Sequence, residues 1–197
     1  TTGLNKKKSE IIEIGAYKIE GLEITEQFHS FIKPKGKVPP FITELTGIDE
    51  KKLESASSIE VVLPKFFEFC CHLTCVAHNA SFDQRFLDAE LHRIQRDNSG
   101  RFACSMLAAR RLYPAAPNHK LGTLVKYKML PNDGTFHRAL ADAEMTAHLW
   151  LALLDEIEQS HGLADIDFTL MQKLTRVSKK SVAGFFERYR RSQHGDT

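Results

Sequence analysis

Residues 11–32 carry two β-rich runs joined by a glycine turn, and almost everything after residue 57 is patterned at helical spacing. Ile11 to Ile19 (IIEIGAYKI) reads as a strand, Glu20-Gly21 as a tight turn, and Glu23 to Ile32 as the hairpin partner. Pro34, Gly36, Pro39 and Pro40 then mark an extended loop. Ser57-x-x-Glu60 has the form of a capping box, followed by Ile59, Val62, Leu63, Phe66 and Phe67 at helical spacing. Leu73 to Ala77 predicts a short strand, and Phe82 to Gln95 a helix with Asp83, Leu87, Leu91 and Ile94 on one face. Ser105 is placed to cap a helix that Pro114 stops after Tyr113. Leu121, Leu124 and Val125 suggest a further short helix, and His137 to Glu158 is the clearest of all, with Leu140, Ala147, Leu151 and Leu154 on one stripe. Strands first, then helices alternating with a strand, argue for an α/β fold whose mixed sheet is covered by helices.

Composition narrows the class. With 42% apolar and 26% charged residues, the chain has the balance of a folded globular domain rather than a disordered one. Its longest apolar run, Leu149 to Leu154, is too short to cross a bilayer, and no secretory pattern opens the chain, so no membrane role and a cytoplasmic location are expected. Cys70, Cys71, Cys75 and Cys104 form no CxxC pair, which favours buried free thiols over a zinc site. Net charge is only +2, but between Phe168 and Thr197 seven Lys and Arg face two acids, so the end of the chain is locally basic. Ser178 is placed to cap a helix there, with Val182, Phe185, Phe186 and Tyr189 on one side and basic residues on the other. Packing back onto the domain is the preferred account of this segment; contact with a substrate strand or another protein are the alternatives.

Three residues stand out chemically. Asp83 opens a helix in line with its apolar stripe, so it points inward. From spacing alone, an acid serving the helix dipole is the simpler account. His137 and Asp142 are five residues apart, about 140° around a helix, and converge only if His137 stands on the entry loop. A solvated His and Asp is again the plainer reading of that segment alone. Together, however, two carboxylates and a histidine are the parts of a hydrolytic metal site: carboxylate oxygens suit hard divalent cations, and histidine exchanges protons near neutrality.

The motifs also resemble a known family. Val76-Ala77-His78-Asn79-Ala80-Ser81-Phe82-Asp83 is similar to the second motif of DEDD exonucleases, and His137-x4-Asp142 to the third motif in its histidine form. Thr1-Thr2-Gly3-Leu4 resembles the tail of the first motif, Asp-x-Glu-Thr-Thr-Gly-Leu, and Ile11–Gly15 and Leu45-Thr46-Gly47-Ile48 fall in the family's order. The likeness covers residues 1 to about 158 and is to DEDDh (DnaQ-like) 3′→5′ exonucleases, such as the proofreading epsilon subunit of bacterial DNA polymerase III. It implies a ribonuclease H-like fold, with a five-stranded mixed sheet flanked by helices. It also implies an exonuclease domain over 1–160 and a basic helical extension over 161–197.

By the same resemblance, two Mg²⁺ or Mn²⁺ ions would be held by Asp83 and Asp142, with His137 as general base. The terminal nucleotide would sit against Thr1, Thr2, Gly3 and Leu4, with Leu45, Thr46, His78, Asn79 and Phe82 lining the cleft. The expected partner is a single-stranded DNA 3′ end, with RNA as the alternative substrate and a DNA polymerase or other replication protein as companion. The first motif's Asp and Glu are not in this sequence, so upstream residues and a first strand are expected to be missing, and this chain by itself to be inactive. A rival from another class is a non-catalytic nucleic-acid-binding or polymerase-tethered module.

Overall fold

The computed structural model describes residues 1–5, 7–71, 73–95, 100–134 and 137–194. Strand β1 (Glu13–Glu20) pairs antiparallel with β2 (Glu23–Phe31). Gly21 turns the chain between them at φ +62°, where a side chain would be strained. The hairpin expected from the β-rich runs is therefore present, but β1 starts two residues later than Ile11. Ile11 and Ile12 approach it as buried core residues, and the Ile32 amide donates to the Ile12 carbonyl at 2.9 Å.

Helices α1 (Pro40–Thr46), α2 (Glu50–Leu53) and α3 (Ile59–Cys70) follow. The extended loop thus ends at Pro40, which supplies the first helical residue of α1, a position that needs no N–H donor. Ser58, not Ser57, occupies the N-cap of α3, because Ser57 is taken by a bridge to Ile32. Next come β3 (Cys75–Ala77), α4 (Ala80–Arg93), β4 (Phe102–Cys104) and α5 (Ser105–Leu112). β3 and β4 run parallel. Ser105 caps nothing: its hydroxyl lies 3.0 Å from His78 Nδ1 and donates to the Ala77 carbonyl at 3.3 Å, joining α5 to β3.

The chain closes with α6 (Leu121–Tyr127), α7 (Ala139–His161), α8 (Phe168–Leu174), a 3₁₀ turn (Lys179–Ser181) and α9 (Val182–His194). Leu149, Leu153 and Ile157 of α7 share one core with Ala108 and Ala109 of α5, Leu170, Met171 and Leu174 of α8, and Phe186 of α9. Each large apolar side chain so buried contributes roughly 1.5–3 kcal/mol. The last two helices are thus packed on the domain, their aromatic side inward and Lys179, Lys180, Arg188, Arg190 and Arg191 exposed. Residues 195–197 of the basic segment lie outside the described residues.

The fold is α/β with mixed pairing, as expected, and among the described residues the pairing is divided between two two-stranded ladders, β1-β2 and β3-β4. A cavity of about 1350 Å³ separates them, walled by Ile14 and Ala16 of β1, by β3, and by α7 from Ala139 to Trp150. Among the described residues no helix is long and apolar enough to cross a membrane. The cysteines are free; Cys104 is buried, Cys70 and Cys75 are half-buried, and Cys71 is exposed rather than buried with the others.

Candidate active site

Asp83 sits in the first turn of α4, beyond Asn79, which takes a left-handed conformation (φ +73°) as the chain leaves β3. Asn tolerates that backbone better than most residues. Leu87 and Leu91 on the same face are buried, which draws Asp83 inward with them. Burial pushes its carboxyl up to about 6, with the Asp142 charge acting in the same direction and the Thr1 amino group opposing.

His137 precedes α7 with φ +61°, on the entry loop rather than on the helix. That placement resolves the rotation between His137 and Asp142, which lies in the first turn of α7. Burial raises the Asp142 carboxyl, while the nearby His137 ring and backbone amide pull it down. Asp83 at the start of α4, and His137 and Asp142 at the entry to α7, line the same cavity. Thr1, Thr46, His78, Asn79 and Phe82 join them there.

Other expected site residues are placed differently. Thr2 is buried beside Glu10, whose carbonyl accepts from the Thr2 amide at 2.8 Å, and whose own amide donates to Thr2 Oγ1 at 2.8 Å. Gly3 lies against Ser9, so close that an added Cβ would stand 2.7 Å from the Ser9 hydroxyl. Leu4 and Leu45 project into solvent, 83% and 50% exposed, outside the cavity's lining. Both ring nitrogens of His78 are engaged, one with Ser105 and the other 2.9 Å from the His119 carbonyl. Burial lowers the pKa of that ring. Phe82 packs on Phe86 with centroids 4.9 Å apart, while still facing the cavity.

Among the described residues no group of three or more His, Cys, Asp or Glu could hold a metal ion by itself. The donor chemistry nonetheless suits a hard divalent cation. Two carboxylates face one space, both with raised pKa, and a cation there would stabilise the charged form of each.

Sequence reasoning missed the residues that lock this site together. Glu13, on β1, is buried and accepts hydrogen bonds from Arg138 and from the Ala139 amide at the start of α7. Gly15, two residues on, lets α7 approach so closely that an added Cβ would stand 2.4 Å from the Leu140 nitrogen. The signal was in the sequence: a Glu inside the apolar run IIEIG needs a buried partner, and Arg138 is the residue next to His137.

Residues 1–150 match the RNase T family model, described as an exonuclease. A DNA polymerase III PolC-type protein of Caldanaerobacter subterraneus subsp. tengcongensis is 36% identical over 187 residues, 92% of this chain and 13% of the relative. The PolC-type protein of Streptococcus thermophilus is 37% identical over 168 residues, 85% of this chain and 11% of the relative. The chain therefore spans roughly an eighth of the curated relatives it matches. Among solved structures, exonuclease X in complex with 5′ overhanging duplex DNA superposes with a TM-score of 0.71 at 26% identity, covering 89% of this chain and 95% of that one. The nuclease domain of 3′hExo, a DEDDh family member bound to rAMP, superposes with a TM-score of 0.66 at 18% identity, covering 75% of this chain and 82% of the other, and shares the fold.

Proposed function

The chain belongs to the RNase T exonuclease family, and from that premise we propose that it is of the DnaQ-like, DEDDh kind and shortens DNA from the 3′ end, releasing nucleoside 5′-monophosphates. The observation that carries the reading is the convergence of Asp83, His137 and Asp142 on one cavity.

Asp83 and Asp142 would hold two divalent cations, Mg²⁺ or Mn²⁺, which when bound polarise the scissile phosphodiester and acidify a water. The other roles fall to this chain's own groups. His137, exposed on the loop that enters α7, takes the proton from the attacking water. Thr1, Thr46, Asn79 and Phe82 surround the terminal nucleotide, and Thr2 and Gly3 hold the backbone of that wall in place. Leu4 and Leu45 offer exposed apolar faces to bases at the rim. His78, tied to Ser105 and His119, completes the lining beside Asn79.

The same reading includes one more strand, upstream of Thr1, lying in the cavity between β1 and β3. Two observations support it. The Thr2–Glu10 hydrogen bonds set Thr2 beside the segment that leads into β1, where an extension before Thr1 would run along that strand. Further, Thr1 lines the cavity together with Asp83 and Asp142, so residues joined to it would lie beside the carboxylates. A cavity of about 1350 Å³ exceeds the roughly 300–1,000 Å³ of small-molecule pockets. In this view residues 1–160 are an exonuclease domain short of its first strand and two acids, 161–197 are a basic helical extension of it, and residues 1–197 alone are inactive. The PolC-type relatives support a place beside a replicative DNA polymerase, in the cytoplasm, with a proofreading role.

The test uses the full-length protein with its natural residues before Thr1, beside a His137→Ala variant. Each meets 5′-labelled single-stranded DNA, and RNA in parallel, with Mg²⁺, with Mn²⁺ and with chelator. The expected result is a ladder shortening from the 3′ end only with metal, about 10²- to 10⁴-fold slower in the variant. Intact DNA and RNA in every lane would overturn the nuclease reading in favour of a binding module.

A further inference from the structure

The Glu13 carboxylate has no role in the chemistry just described, yet it is gripped on every side. Its Oε1 lies 2.9 Å from His29 Nε2 and accepts from Arg138 Nη2 at 3.0 Å and Nε at 3.3 Å. Its Oε2 accepts from the Ala139 amide at 3.0 Å. The side chain is 4% exposed, and burial alone would raise its pKa; the hydrogen bonds from Arg138, Ala139 and His29 more than reverse that and hold it below the usual carboxylate range. The guanidinium of Arg138 also lies over the Phe31 ring, 5.5 Å from its centre, and His29 meets the edge of the same ring.

The position of this cluster gives it meaning. Helix α7 begins after Arg138, whose side chain donates but cannot accept, so the helix lacks the Ser, Thr, Asp or Asn that ordinarily serves its first amides. Glu13 supplies that acceptor from a strand 126 residues away. Gly15, on the same face of β1, allows the close contact that brings the carboxylate into reach. Arg138 is flanked by the two things the site needs held: His137 in a left-handed backbone that a non-glycine residue rarely keeps unaided, and the first turn of α7 bearing Asp142. A purely structural contact at this place could be apolar, since buried ion pairs contribute little net stability compared with packed hydrophobic residues.

We propose that Glu13 is a positioning residue, which fixes the His137 imidazole and Asp142 against the cavity by clamping Arg138 and the first amide of α7. The inference rests on the exonuclease reading for its consequence in rate, but not for its consequence in geometry.

Two readouts separate these. In the full-length protein, steady-state kinetics on single-stranded DNA compare wild type with Glu13→Gln and with His29→Gln, which alters a Glu13 partner that lies on β2 and leaves the Arg138 and Ala139 hydrogen bonds in place. In the same full-length variants, the ring signals of His137 are followed by NMR. Glu13→Gln is expected to lower kcat by about 10- to 100-fold, the scale of an ångström of misplacement, with KM within about twofold. It is also expected to move the His137 ring signals, whereas His29→Gln leaves both readouts near wild type. Should Glu13→Gln fail to fold, Arg138→Lys, which keeps the charge but loses the fork, is read in the same way. Unmoved His137 signals, or a kcat that falls only with the folded fraction measured by melting, would overturn the proposal. A wild-type protein without nuclease activity would sink the functional reading alone, because the His137 signals would still report whether Glu13 sets the geometry.

Discussion

Replacing Gly15 by Ala tests how tightly β1 and α7 are joined beneath the site. The new Cβ would stand 2.4 Å from the Leu140 nitrogen and 2.5 Å from the Ala139 carbonyl carbon and Leu140 Cα, all of them backbone. Non-bonded carbon atoms settle at about 3.5–4.0 Å, so the helix start must retreat by about 1 Å. Forcing a methyl into packed surroundings costs roughly 1–3 kcal/mol, and three backbone clashes put this case near the top, at about 2–3 kcal/mol. The smaller conformational freedom of unfolded alanine offsets about 0.4–1 kcal/mol of that. A net loss of about 1–2.6 kcal/mol in a chain of this length lowers Tm by roughly 2–10 °C. Thermal melts followed by circular dichroism measure it, with Gly36→Ala as control. There the new Cβ would meet only the end of the Glu10 side chain, at 3.4 Å, and Tm should stay within about 2 °C of wild type. In the full-length enzyme the same 1 Å retreat would carry Asp142 and His137 with it and cost about 100-fold in rate. A Gly15→Ala protein with wild-type Tm would refute the reasoning, since it would mean that α7 yields freely and that Glu13 and Gly15 do not fix its start.

Further outcomes follow from the same geometry. Burial holds the Asp83 carboxyl near 6 in the fold against 3.8 otherwise, so the native state binds that proton more tightly than the unfolded chain does. Stability is therefore lost as pH rises through that window, by up to about 3 kcal/mol above pH 6 without metal. Asp83→Asn should melt higher than wild type at pH 8 in chelator and match it near pH 4; equal melts at pH 8 would contradict the burial argument. Leu4 is 83% exposed, so Leu4→Ala should leave Tm unchanged while raising KM for single-stranded DNA about two- to fivefold, and an unchanged KM would remove it from the substrate wall. The Tyr113 hydroxyl, buried against α7, donates to the Ala152 carbonyl at 2.9 Å. Tyr113→Phe should cost about 1 kcal/mol in chemical denaturation, with activity untouched.

Local pattern carried the reading a long way. Alternation in IIEIGAYKI and the glycine after it were enough for the hairpin, because strand period and turn conformation are properties of neighbouring residues. The same holds for α7, and for Asp83, whose inward face was visible from Leu87 and Leu91 at helical spacing. Short elements were less legible. β4 is three residues long and exists by pairing with β3, and Ser57 reads as a cap until Ile32 claims it. The tail's aromatic stripe could be seen, but not that it shares a core with α5 and α7.

What the sequence determined by itself was the inventory: two carboxylates and a histidine in motifs whose order and spacing resemble those of DEDDh exonucleases, on elements whose type their own residues dictate. Only the tertiary structure decided their arrangement. It put His137 on a left-handed loop instead of the helix, brought Asp83 and Asp142 to one cavity, and tied Glu13 to Arg138 across 125 residues. Periodicity encodes which face a residue takes, within a turn or a strand pair. The partner of a buried charge is chosen by how whole elements pack, and no spacing along the chain records that choice.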